Sequence, residues 1–160
     1  MPTKKEKLLI KPHHFLDIIK LFGSGLDVFV PNVEYGHAFW KVGNEILENP
    51  NVQLELTLDN DAICVPCKFS NGLICTGVSS ADSKEISKDA WNKLIDQRLL
   101  NIFDFKNGTE ISALELCKLA KEKISRENIF AVWKEKPVEI TEKRANFLMQ
   151  GIEKYLEKYV

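Results

Sequence analysis

Three of the four cysteines of this 160-residue chain lie within twelve positions, in "DAICVPCKFSNGLIC" (61–75). Cys64-Val-Pro-Cys67 is a C-x2-C pair, a spacing that lets two sulfurs converge on one ion. Asn71-Gly72 is a strong two-residue hairpin signal. A tight turn there pairs Ser70 with Leu73 and Phe69 with Ile74, which sets Lys68 beside Cys75 and returns the third thiol to Cys67. Thiolates select zinc or iron–sulfur clusters. With no second C-x2-C and no C-x2-C-x2-C run, the group is one ligand short of the usual four. Two competing readings are three reduced thiols packed as small apolar groups and a redox dithiol of C-x-P-C form. Against the dithiol, no long helix follows the pair and a third cysteine stands close by.

Candidates for the missing ligand stand in "KPHHFLD" (11–17). On a helix His13 and Asp17 are i,i+4 neighbours, and His14 and Asp17 are i,i+3 neighbours. A histidine–carboxylate pair at that spacing can share a metal, or Asp17 can orient an imidazole as its hydrogen-bond partner. The competing reading is a solvated polar face, with His13, Asp17 and Lys20 opposite Phe15, Ile18 and Phe22. His37, in "EYGHAFW", reads as a satisfied histidine of an aromatic-rich helix, and Cys117, in "SALELCKLAKEK", as a buried inert thiol and the weaker ligand candidate. There is no Ser–His–Asp set, phosphate-cradling glycine loop or paired-carboxylate constellation, so no reaction class is defined.

The elements that must position these residues follow from periodicity. "LLIK" (8–11) reads as a strand, and Pro12 suits the first turn of a helix over 12–22. A second helix is expected over 33–48, and "VQLELTL" (52–58) alternates as a half-buried strand. If strands 8–11 and 52–58 pair in parallel, the two helices form the crossover, and "PHH" and "CVPC" come to one edge of the sheet. The cysteine loop spans 59–80. Helices are expected over 87–103, from a Ser112/Glu115 capping box to about 125, over 126–134 and from Pro137 onward. The buried stripe of the last comprises Ala145, Leu148, Met149, Ile152, Tyr155, Leu156 and Tyr159. The expected fold is a single α+β domain over 1–160, predominantly helical with a small sheet and a helical C-terminal part (87–160).

Bulk properties agree with that class. Apolar residues make up 44% and charged residues 28%, with 22 basic against 23 acidic side chains and a net charge of −1. Such balance gives no field toward nucleic acid or an anionic membrane. A chain this long buries enough surface to fold without a metal. The apolar run at 8–10 is too short for a signal peptide, and no run reaches membrane-spanning length, so a cytoplasmic protein is expected.

"LLIKPHHFLD", "DAICVPC" after the "LELTL" strand, and the closing "GLIC" together resemble a bacterial and archaeal family catalogued as domain of unknown function twelve-eighty-four. Its likeness covers roughly residues 8–135, with specificity confined to the two short motifs. The resemblance implies iron–sulfur binding and carries over to His13, His14, Cys64, Cys67 and Cys75. Asp17 stands where the family pattern has a cysteine. "ENIFAVW" (127–133) keeps Trp133 but lacks the family's second cysteine group, so a cluster spanning both groups is not expected.

The expectation is therefore a metal-binding protein whose site joins three cysteines to one further ligand and holds an iron–sulfur cluster or zinc. Cys64, Cys67 and Cys75 are its thiolate ligands, with His13, His14 or Asp17 completing it. The alternative is a small-molecule-binding or enzymatic domain that uses the His-His/Asp helix, Tyr35, His37 and Trp40. In that reading Asp17 is a candidate base and the cysteine site is vestigial or redox-active. Trp91 and Trp133 are expected in the core. The final helix could also pair in a homodimer.

Overall fold

The computed structural model describes residues 7–31, 38–59, 61–63, 78–81 and 84–160. The chain starts with strand β1 (Leu8–Ile10), helix α1 (Pro12–Gly23), helix α2 (Phe39–Glu48) and strand β2 (Gln53–Leu56). Strands β3 (Val78–Ala81) and β4 (Lys84–Ser87) lead into α3 (Lys88–Phe103). Strand β5 (Glu110–Ser112) and helices α4 (Ala113–Lys123), α5 (Arg126–Val132) and α6 (Val138–Tyr159) complete the chain. The protein is thus a predominantly helical α+β domain.

Strand β1 pairs in parallel with β2, with Leu8 opposite Leu54 and Ile10 opposite Leu56. The α1–α2 crossover is what makes that pairing reachable. β5 joins the other side of β2 antiparallel, Leu54 opposite Ile111. Three apolar side chains on the inward positions, Ile10, Leu54 and Leu56, are fully buried. "NG" at 107–108 makes the expected turn into β5, with Gly108 at φ 93°, a left-handed conformation that favours glycine.

α1 is the central helix, lying against α3 and α6. Gly23 on α1 and Gly151 on α6 allow the two backbones to touch. A Cβ at Gly151 would overlap the Ile19 carbonyl, and one at Gly23 would overlap the Phe147 carbonyl. Across the same packing layer the buried Tyr155 hydroxyl donates to the Ile46 carbonyl at 2.8 Å, tying α6 to α2.

Several elements differ from the sequence expectation. The polar face assigned to α1 is not solvated: His13 is buried and Asp17 and Lys20 are half-buried, because α3 and α6 cover that side. α2 is described over Phe39–Glu48; residues 32–37, with Tyr35, His37 and the expected start of this helix, lie outside the described residues. Met149 is 43% exposed, since it stands one residue, and so a sharp rotation about the axis, from the buried Leu148. Leu156 and Tyr159 are only half-buried. Strands β3 and β4 occupy the end of the expected loop and the expected start of α3. Ser112 caps α4 by accepting from the Glu115 N–H, while the reciprocal capping box forms at Ser125/Asn128 on α5. Trp91 and Trp133 are core residues, as expected.

Candidate metal and imidazole site

Parallel pairing brings the first turn of α1 and the segment after β2 to one edge of the sheet. Thr57 N–H donates to the Ile10 carbonyl, and Ala62 N–H donates to the Leu9 carbonyl at 2.9 Å. Residues 61–63 are thereby held against the start of α1. Ile63 is the last described residue before Cys64. Cys64, Cys67, Cys75 and the Asn71-Gly72 turn all lie outside the described residues.

The first turn of α1 exposes backbone N–H groups that have no partner within the helix. Its N-cap residue, Lys11, supplies no side-chain cap. Two carboxylates from distant parts of the chain do the work instead. Asp96, on α3, accepts the His13 N–H at 2.7 Å. Asp61 accepts the Lys11 N–H at 2.7 Å through Oδ2 and the Ile63 N–H at 3.1 Å through Oδ1. Negative charge at a helix N-terminus is also favoured by the helix dipole.

The same carboxylates hold the imidazoles. His13 Nδ1 lies 2.9 Å from each oxygen of Asp96. His14 Nδ1 lies 2.7 Å from Asp61 Oδ2. The two rings sit side by side, centroids 4.3 Å apart and tilted by 48°. Both carboxylates are wholly buried, whereas the imidazole side chains stay 10% and 15% exposed. No described residue hydrogen-bonds either Nε2.

Charge follows the geometry. Burial opposes ionisation of the His14 ring, but the Asp61 carboxylate beside it outweighs that cost and raises the imidazole above its ordinary value. Burial likewise pushes Asp61 up, but His14 and the Lys11 N–H hold it well below the usual carboxylate range. The Lys11 side chain is fully buried and its ammonium is within electrostatic reach of both Asp61 and His14. A basic, carboxylate-backed imidazole is a good proton acceptor and a good metal ligand.

Asp17 hydrogen-bonds neither imidazole, although its charge helps to raise His14. Its carboxylate pairs with Arg144 of α6, with Lys20 3.7 Å away. Burial would push Asp17 up, but Arg144 and Lys20 hold it well below the usual range. The orienting role assigned to Asp17 from spacing is therefore filled by Asp61 and Asp96, and a carboxylate so strongly ionised is a poor base. Cys117 is fully buried between α4 and α6, its Sγ 3.9 Å from the Ile152 carbonyl. Burial, and then Glu153, push its thiol up to about 12. A thiol so far from ionisation is inert, as expected.

Asp61, Asp96 and Lys11 are the site residues that spacing alone did not single out. Asp96 carried a signal. Its helical neighbours Ile95, Leu99, Leu100 and Phe103 are the buried stripe of α3, so a charged residue stood at a core position.

The described residues hold no group of three or more His, Cys, Asp or Glu side chains placed for a metal ion. The two imidazoles alone fall short of such a group, and further ligands would have to come from elsewhere. A cavity of about 310 Å³ opens between α1 and α6, lined by Lys20, Leu21, Ile140, Lys143 and Phe147 among others; neither imidazole lines it. No described helix is long and apolar enough to cross a membrane. No family model, curated protein or solved structure matches the chain.

Proposed function

We propose that this protein binds a metal at the edge of the sheet after β1 and β2. Cys64, Cys67 and Cys75 supply thiolates, and His13 or His14 supplies the fourth ligand. One observation carries the reading: two neighbouring imidazoles are anchored by Nδ1 on buried carboxylates, with Nε2 unpartnered among the described residues, beside the segment that runs into Cys64. A metal-ligating histidine characteristically has this carboxylate behind it. Three thiolates and one imidazole satisfy tetrahedral zinc outright. An iron–sulfur cluster held by the same cysteines, which the family resemblance implies, is the second form of this reading.

Anaerobic purification followed by iron, sulfide and zinc analysis and a visible spectrum tests it. Stoichiometric zinc without colour is expected, and a brown protein with sulfide would assign the cluster. Cys67→Ser is expected to lose the metal and Asp17→Ala to retain it. A colourless, metal-free protein with three titratable thiols would overturn the proposal. The carboxylate-backed His14 would then favour the acid–base alternative, with the imidazole rather than Asp17 as the base.

A further inference from the structure

We infer that Asp96 and Asp61 are positioning residues that lock His13 and His14 in the Nδ1–H tautomer and so make Nε2 the working atom of each ring. The inference concerns the metal-free fold; only its consequence for metal affinity rests on the function proposed above.

A neutral imidazole has one N–H donor and one acceptor nitrogen, and an ionised carboxylate can only accept. His13 Nδ1 faces both oxygens of Asp96 at 2.9 Å, so a lone pair at Nδ1 would meet nothing but lone pairs. His14 Nδ1 meets Asp61 Oδ2 at 2.7 Å, an oxygen that also accepts the Lys11 N–H. Each neutral ring must therefore carry its proton at Nδ1. The rings cannot turn over without losing these bonds inside a region where both carboxylates are wholly buried. The main chain enforces the arrangement, since Asp96 also holds the His13 N–H and Asp61 also holds the Lys11 and Ile63 N–H groups. Asp61 thus ties the end of β1, the His14 ring and the root of the cysteine segment through one carboxylate.

Nitrogen-15 NMR of the metal-free wild-type protein, at a pH where both rings are neutral, reads the tautomers directly. Protonated Nδ1 and bare Nε2 are expected for both. A protonated Nε2 in either wild-type ring would overturn the assignment, whatever the protein's metal content. Asp96→Asn keeps Oδ1, which faces both the His13 N–H and Nδ1, but turns Oδ2, 2.9 Å from Nδ1, into an N–H2 donor. It is expected to raise the Nε2–H population of His13 above the wild type and leave the His14 signals unchanged. A His13 tautomer unchanged both in folded D96N and in folded Asp96→Ala, which offers Nδ1 no acceptor, would also overturn it. With zinc as the probe, D96N should weaken binding about 10- to 100-fold, the usual effect of losing such a partner. Unaltered zinc affinity in the presence of a tautomer switch would show that His13 is not a ligand, which refutes the metal consequence while the positioning stands.

Discussion

The two halves of α1 bury charge in opposite ways. At its middle, Asp17 meets Arg144 and Lys20, and Arg144 stacks over the Trp133 ring with its guanidinium carbon 4.2 Å from the centroid. That contact spends its polar groups on one another and belongs to the α1–α6 packing. At the N-terminal turn, each imidazole has one nitrogen held by a buried carboxylate and one with no described partner. Burial of charge alone does not separate the two, since both regions are enclosed. What separates them is unspent bonding capacity, which places the candidate site at the first turn and makes the middle of the helix a clamp.

The largest expected effect comes from breaking the clamp at its glycines. Gly151→Ala pushes a methyl into the Ile19 carbonyl, and the backbone has to move apart. Destabilisation of about 3 kcal/mol, the upper range for overpacking, is expected in a denaturant titration. An unchanged midpoint would show that α1 and α6 do not approach so closely.

Removing His14 tests the other half. His14→Ala should cut zinc affinity more than about 100-fold, beyond the effect of losing only a positioning carboxylate, and it also lowers metal-free stability, because the buried Asp61 loses its imidazole partner. Arg144→Ala should cost stability alone. It removes the partner of Asp17, and because these side chains are still 18% and 22% exposed, a cost of about 2 kcal/mol is expected, below the range for a fully buried pair. Its zinc affinity should match the wild type. Loss of zinc affinity in Arg144→Ala would merge the two regions into one.

The regions also titrate in opposite directions. Asp17 is depressed in the folded state, so its contribution is present above the unfolded carboxylate value and is lost as pH falls toward the folded one. His14 is raised, so its contribution is present below the unfolded imidazole value and is lost as pH rises through the folded one. In metal-free protein, Asp17→Asn should flatten part of the acid side of a stability–pH curve and His14→Ala the alkaline side. His14→Ala also removes the group that holds Asp61 down and so alters the acid flank as well; an alkaline flank unchanged in His14→Ala, or an acid flank unchanged in Asp17→Asn, would contradict the assignments. The smallest effect belongs to Cys117. Cys117→Ala should cost about 1 kcal/mol through lost packing, and native Cys117 should resist alkylation that modifies an accessible thiol.

Much of the framework was legible in order. The alternation of "VQLELTL", the apolar "LLI", Pro12 at the start of α1 and the helical stripes up to Tyr155 each follow from local pattern, whereas the two-helix crossover permits the parallel pairing without requiring it. β5 was missed because three residues carry no usable period; it is a strand only because β2 offers a free edge to Ile111. Met149 was misplaced because a stripe read from residue types does not separate a neighbour at the margin from the buried line. Type and spacing single out the histidines, but helical spacing reaches only partners on their own helix.

The amino-acid sequence by itself determined which side chains carry chemistry, that His13 and His14 open a helix after a strand, and that Asp61 stands three residues before Cys64. Tertiary structure decided which carboxylate serves which group. Helical spacing puts Asp17 within reach of both rings, but Arg144, 127 positions away, takes it. Asp96, 83 positions from His13, turns inward from α3 and satisfies both the ring and the helix N-terminus. Local sequence governs which residues share a face. Competition for a buried charge is settled by every element packed around it, and burial makes the unpaired alternative too costly to persist.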